Sequence, residues 1–278
     1  MATLTQILQY ILETKDPALP NDVKRVILKE ALQAYVLEYL YNHPAYRHLN
    51  FYGGTCLHVV YKLDRLSEDL DLDNSPGVDI SHLKEDLLGF FHKTVGYPGA
   101  GANFQQGATG ISRITLKFPI LNELGLSASP NEALHLKVEV SSHRQIAVIK
   151  KTPVFYQGRS FVPTHFSLET MMAGKILACL QRNFQRGKEG ALIKGRDFYD
   201  LLWFMRSQVR PLEEKLSKEG EVLYTTRTVM LALKEKVERI RTKDLTADLT
   251  PLFESAVFVQ AWVEAFHASF AEYLQNYL

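Results

Sequence analysis

An α+β half followed by an all-helical half is the fold class that this sequence predicts. Three observations carry it. Apolar residues recur at helical spacing through the first 43 residues, period-two alternation appears at 111–120 and 134–141, and helical spacing returns after Pro163 and persists to the end. The predicted domains are residues 1–158, α+β with N-terminal helices, and residues 159–278, helical. A length of 278 residues suits one large domain or two ordinary ones at roughly 150 residues each.

The elements follow in order. Leu4, Ile7, Leu8 and Ile11 make one stripe of an amphipathic N-terminal helix. Residues 22–43 form a second helix, with Asn21 and Asp22 as caps and Leu28, Ala31, Leu32, Tyr35, Val36 and Tyr39 on one stripe; Pro44 lies just past its end. Gly53 and Gly54 precede a third helical pattern through Leu57, Val60 and Tyr61, and an alternating acidic run follows at 68–73. Residues 80–95 read as helix, and the Gly- and Ala-rich stretch 98–110 as a turn or mobile loop. Strands are expected at 111–120, 134–141 and, shorter, 152–156. Helices are expected at 167–182, 196–207, 221–240 and 256–274.

Composition excludes several classes. With 46% hydrophobic and 23% charged residues the chain is neither disordered nor collagen-like. Cys56 and Cys179 cannot build a disulfide framework and lie in no metal-ligand spacing, so a reducing cytoplasm is the expected setting. The net charge of +1 excludes a globally basic coat but leaves room for a local basic face. No apolar run approaches the roughly 18 residues of a membrane span.

Four features can carry chemistry. On a strand, Asp69, Asp71 and Asp73 share one face, where three carboxylates repel unless a cation sits among them; a solvated acidic loop is the competing reading. Gly53-Gly54-Thr55 opening a helix lets backbone N–H groups approach a phosphate, although a plain turn explains it alone. Glu139, in an alternating strand, is a solvent-facing residue or a third metal ligand. Lys175, in the apolar helix MMAGKILACL, snorkels or reaches a phosphate, and Asp197 and Asp200 follow in RDFYD.

Taken together, Gly53-Gly54-Thr55, Arg65-Leu66-Ser67-Glu68-Asp69-Leu70-Asp71, Lys137-Val138-Glu139, the helix from Lys175 to Arg182 and Arg196-Asp197-Phe198-Tyr199-Asp200-Leu201 form a pattern spanning about residues 50–205. It resembles the nucleotidyl transferase AbiEii/AbiGii toxin family, a branch of the polymerase-β-like nucleotidyltransferase superfamily. The insert between Arg182 and Asp197 departs from the pattern, and the helices beyond about residue 210 carry no recognised motif.

The resemblance implies a nucleotidyltransferase-like mixed sheet flanked by helices, with the helical domain completing the active site. It implies transfer of a nucleoside monophosphate from an NTP, dependent on Mg²⁺ or Mn²⁺. By resemblance, Asp69, Asp71 and Glu139 hold the metal and are catalytic with Lys175, Glu139 either ligating the metal or accepting the proton of the attacking hydroxyl. Gly53, Gly54, Thr55, Arg65, Ser67, Lys175, Asp197 and Asp200 bind the nucleotide, Arg65 and Ser67 either touching phosphate or fixing the loop, and Asp197 and Asp200 either orienting Lys175 or contacting base and ribose. The implied acceptor is RNA, tRNA above all, and the implied partner an antitoxin encoded nearby, in a toxin–antitoxin or phage-defence pair. A basic face for RNA could draw on Arg182, Arg186, Lys188, Lys194 and Arg196. A protein hydroxyl as acceptor, or nucleotide binding without catalysis, are the alternatives.

Overall fold

Thr3 accepts a hydrogen bond from the Gln6 amide while the Gln6 side chain answers to the Thr3 amide, a capping box that starts α1 (Leu4–Glu13). Leu19, Val23 and Ile27 join Ile11 beneath the loop to α2 (Asn21–Asn42). Along its middle α2 is buried nearly all round, and with it go two polar residues, Glu30 and Gln33. The computed structural model describes residues 2–107, 110–181 and 193–278. The chain forms two compact units, Met1–Arg144 with Ile149–His165, and Gln145–Val148 with Phe166–Leu278.

In the first unit, β1 (Asn50–Tyr52) runs into α3 (Gly53–Tyr61), followed by β2 (Leu70–Asp73), α4 (Leu83–Gly89) with a π turn at Phe90–Thr94, β3 (Gly101–Gln106), β4 (Ile111–Phe118) and β5 (Leu134–Ser141). Four short strands complete it: β6 (Ile149–Lys151), β7 (Val154–Tyr156), β8 (Arg159–Phe161) and β9 (Thr164–Phe166). Seven of the strands form a mixed sheet in the order β3-β4-β5-β2-β1-β9-β6, and β7 and β8 pair as a hairpin. Strand β2 lies parallel to β5 and antiparallel to β1.

The alternation read from the sequence sorts the sheet into two faces. Leu70 and Leu72, Ile114, Leu116 and Phe118, and Leu134, Leu136, Val138 and Val140 are buried on one side. Phe91 of the π turn packs edge-on against Phe118 there, with ring centroids 4.9 Å apart. The other face carries Asp71, Arg113, Lys117, His135, Lys137 and Glu139.

The stretch 98–110, read as a loop, contains β3. Its sequence shows no alternation because it is an edge strand, exposed along most of its length. Cross-strand pairing from Gly101↔Lys117 to Gln106↔Ser112 makes it a strand. Strands also continue past residue 158, in β8 and β9. Thr164–Phe166 is too short, and buried on both faces, to show a period.

The second unit is a helical bundle of α5 (Leu168–Gln181), α6 (Gly195–Arg206), α7 (Glu213–Glu219), α8 (Thr226–Val237), α9 (Thr242–Leu249) and α10 (Ala256–Leu274). Phe198, Tyr199, Phe253, Trp262 and Phe266 form its aromatic centre. Thr225 and Thr228 cap α8, so this helix starts five residues later than the periodicity places it. Helices α7 and α9 are each about two turns long, below the length at which a 3.6-residue pattern declares itself.

Candidate functional site

The turn from β1 into α3 is built for close approach. Gly53 has φ +79°, a conformation that side chains disfavour, and a Cβ on it would lie 2.2 Å from Oδ2 of Asp71. A Cβ on Gly54 would lie 2.5 Å from Nη2 of Arg65 and 3.2 Å from Oγ of Ser67. The register places Tyr52 opposite Asp71, so the strand pair delivers the glycines to the carboxylate. Helix α3 starts there with no side-chain cap, its first-turn N–H groups facing the same region.

Asp71 stands on the polar face of the sheet, as alternation predicted, and Asp69 immediately precedes β2. Across the parallel pairing Asp71 is opposite Glu139, and Glu139 is opposite Arg113 on β4. Arg113 Nε donates to Oε1 of Glu139 at 2.7 Å. The Lys137 ammonium lies 3.9 Å from Asp69. Asp73, third in the acidic run, is fully buried and accepts from Asn50 at 2.9 Å and from the Ser75 hydroxyl at 2.5 Å, so it closes a turn.

Behind the acids lies a polar network. Thr55 is fully buried; its hydroxyl is 2.8 Å from that of Ser67 and donates to the Asp69 carbonyl. Arg65 is buried as well and donates to the Leu66 carbonyl. The side chains of Thr55, Arg65 and Ser67, expected at the nucleotide, are thus spent on the protein itself. Glu30 Oε1 accepts from the Ser67 amide at 3.0 Å, and Gln33 Nε2 donates to the Ser67 carbonyl at 2.9 Å. His58 Nε2 lies 3.3 Å from Glu30 Oε1, with Nδ1 2.7 Å from the Leu63 carbonyl. Burial pushes Glu30 up to about 7 against the pull of the Ser67 hydrogen bond, and burial holds His58 below its ordinary value. Sequence reading missed Glu30, Gln33, His58 and Arg113. The one available signal was a pair of polar residues, three apart, inside an apolar helix.

In the helical unit, Lys175 Nζ on α5 lies 2.7 Å from Asp197 Oδ1 and 2.8 Å from Asp200 Oδ2, both on α6. The lysine is 15% exposed and the carboxylates 7% and 0%, so Lys175 does not snorkel. Of the expected basic face, Arg182, Arg186 and Lys188 lie outside the described residues. The Arg196 amide donates to Asp248 at 3.0 Å. A different cationic group is present in the first unit: Lys117 faces His135 across the β4–β5 ladder, and Lys137 follows on β5. Burial, then the charges of Lys117, Lys29 and Lys137, hold the His135 imidazole below its ordinary pKa.

The donor set decides which cation these residues suit. Among the described residues no group of three or more His, Cys, Asp or Glu side chains is disposed to hold a metal ion. Asp69 and Asp71 offer carboxylate oxygens. The nearby Cys56 thiol is pushed well above its ordinary value by burial and then by Asp71, and so stays protonated. An all-oxygen pair fits a hard divalent cation that takes its remaining ligands from water and phosphate, and does not fit a closed protein cage. Among the described residues no helix is long and apolar enough to cross a membrane.

Comparison with known proteins gives the family. No curated protein sequence matches the chain. Among the solved structures that resemble it are two from Helicobacter pylori. JHP933 from Helicobacter pylori has a TM-score of 0.46 and 17% identity, over 89% of this chain and 94% of that one. A provisionally assigned nucleotidyltransferase from H. pylori has a TM-score of 0.45 and 18% identity, over 87% and 94%. The sequence model of the nucleotidyl transferase AbiEii toxin family, type IV TA system, matches residues 35–276. The chain therefore belongs to that family, the nucleotidyltransferase toxins of type IV toxin–antitoxin systems.

Proposed function

We propose that the chain transfers a nucleoside monophosphate from an NTP to RNA, with tRNA as the foremost acceptor, and that this modification is the toxic act. The observation that carries the reading is Gly53: a backbone without Cβ is pressed on the Asp71 carboxylate where an uncapped helix begins. Phosphoryl-type transfer asks the protein for position and charge neutralisation, and this turn supplies both. Asp69 and Asp71 would hold Mg²⁺ or Mn²⁺, which when bound neutralises phosphate charge and polarises the reacting oxygens. The Gly53, Gly54 and Thr55 amides cradle the triphosphate. Arg65, Ser67 and the Thr55 hydroxyl shape the turn from behind. Glu139, aimed by Arg113, stands beside the acid pair as the group to accept the proton of the attacking hydroxyl. In the helical unit, Lys175, paired with Asp197 and Asp200, is the further residue proposed for the nucleotide.

RNA is favoured as acceptor by the cations beside the acids. Lys117 and Lys137 lie on the face that carries Asp71, where a phosphodiester chain gains charge pairing and releases counterions. The setting proposed is the cytoplasm, with an antitoxin encoded beside the toxin, in growth control or phage defence. The test incubates the protein with each labelled NTP, Mg²⁺ or Mn²⁺, and total RNA or lysate. Label in RNA, lost in Asp69→Asn/Asp71→Asn, is the expected result. Label in protein moves the acceptor to a protein hydroxyl. Absence of labelled polymer with all four NTPs and both metals overturns the reading.

A further inference from the structure

We propose that Glu30 and Gln33 of α2 are positioning residues for the acid pair, clamping the Ser67 peptide as a neighbouring strand would. This rests on the assignment of Asp69 and Asp71 above. Residues 62–69 lie outside any strand and have no ladder to hold them. The Ser67 peptide is nevertheless held at both ends, its N–H by Glu30 Oε1 and its C=O by Gln33 Nε2. Spacing of i and i+3 puts the two side chains on one face of the helix. Each occupies a core position, 4% and 0% exposed, where an apolar residue would cost no desolvation. Gln33 Oε1 is buried with no hydrogen-bond partner among the described residues. That residual cost is tolerated beside the one bond that its amide makes to Ser67.

The clamp connects to the chemistry through a short path. Ser67 meets Thr55 of α3, and Thr55 donates to the Asp69 carbonyl. His58, also on α3, lies 3.3 Å from the same Glu30 oxygen. Helix α2, the glycine-led start of α3 and the acid strand are therefore tied at one peptide. If the Ser67 peptide shifts, Thr55 shifts with it, and the fit of Gly53 on Asp71 is lost. Neither Glu30 nor Gln33 touches the nucleotide in this arrangement, so turnover should suffer more than NTP affinity.

The experiment uses the full chain with Glu30→Leu, Gln33→Leu and Glu30→Gln. It measures Ser67 amide exchange, the melting temperature, and kcat and KM for the NTP in the labelling assay, well below melting. In both Leu variants Ser67 exchange should accelerate about tenfold or more, and kcat should fall about tenfold while KM stays within about twofold. Glu30→Gln, which keeps an acceptor oxygen for the Ser67 amide, should restore both. Should Glu30→Leu not fold, Gln33→Leu reads the same clamp through the carbonyl. Unchanged Ser67 exchange, or an unchanged kcat despite faster exchange, overturns the proposal; so does an equal loss of kcat in Glu30→Gln. A wild-type chain that labels no polymer sinks the transferase reading instead, and the exchange measurement still decides the clamp.

Discussion

Gly53 and Glu30 show how single residues shape this site. Gly53 combines a positive φ with a 2.2 Å approach of its missing Cβ to Asp71, so Gly53→Ala meets both backbone strain and a carboxylate on a short, immobile stem. The strain alone is about 1–2 kcal/mol. The nucleotide- and metal-induced rise in melting temperature should vanish, because Asp71 must turn away. Gly54→Ala meets the far end of Arg65, which can give more easily, and should keep part of the rise; equal shifts in the two variants would refute the role of Gly53. Glu30 makes stability depend on pH. Burial pushes it up to about 7 from its ordinary 4.5, so the folded chain binds the extra proton between those values. Stability contributed by the protonated acid is fully present below pH 4.5 and is lost as pH rises from there through about 7. Lys15 and Arg65 oppose the shift only in part, and His58, held low by its own burial, adds no lasting positive charge at pH 8. Glu30→Gln should therefore match the wild type near about pH 4 and exceed it by about 3 kcal/mol at about pH 8 in urea denaturation. A pH-independent difference would remove the buried acid from the explanation.

Among the elements, the pair α5–α6 departs most from what helix rules suggest. By propensity, Lys175→Ala should leave the fold intact. The structure shows one ammonium shared by two buried carboxylates across two helices. Removing a member of a buried ion group typically costs about 3–5 kcal/mol, against about 0.5 kcal/mol for a surface change. Lys175→Ala should therefore lower stability by several kcal/mol in denaturant unfolding, whatever it does to nucleotide use. A change within the surface range would return Lys175 to a purely functional role. The sheet is the complementary case. Its buried face follows from period two alone, and the same alternation puts Asp71 and Glu139 on the opposite face. Edge strand β3 escaped that logic, since a strand exposed on both sides is under no patterning pressure.

For the whole molecule, the near-neutral charge hides local opposites: an acid pair and, beside it, Lys117 and Lys137 on the same polar face. Such an arrangement lets the proposed RNA acceptor be met without a basic coat. Family membership makes the chain a nucleotidyltransferase toxin, and its potency should depend on turnover. Expression of the wild type should arrest bacterial growth, and Asp71→Ala at matched soluble expression should relieve the arrest. Asp71 sits on the polar side of its strand, so the alanine leaves the buried face untouched. Arrest that persists undiminished with the folded variant would assign toxicity to binding. Relief by the variant ties toxicity to the carboxylates proposed for the metal.

The sequence by itself determined the helices whose stripes run for three turns or more, the strands with one wet face, and the order of glycine turn, acidic strand and helical lysine. Each of these is local, a period or a spacing within a few residues. Only the tertiary structure decided that Asp73 is a turn residue, that Glu139 is held by Arg113, that Lys175 is neutralised by Asp197 and Asp200, and that Glu30 and Gln33 hold Ser67. Most of these partners are far apart in the chain: 22 and 26 residues separate Lys175 from Asp197 and Arg113 from Glu139, and 37 separate Glu30 from Ser67. A residue's type limits which partners it can take, but burial and the register of strands and helices select among them. Those are settled by packing across the whole unit, which no local period records.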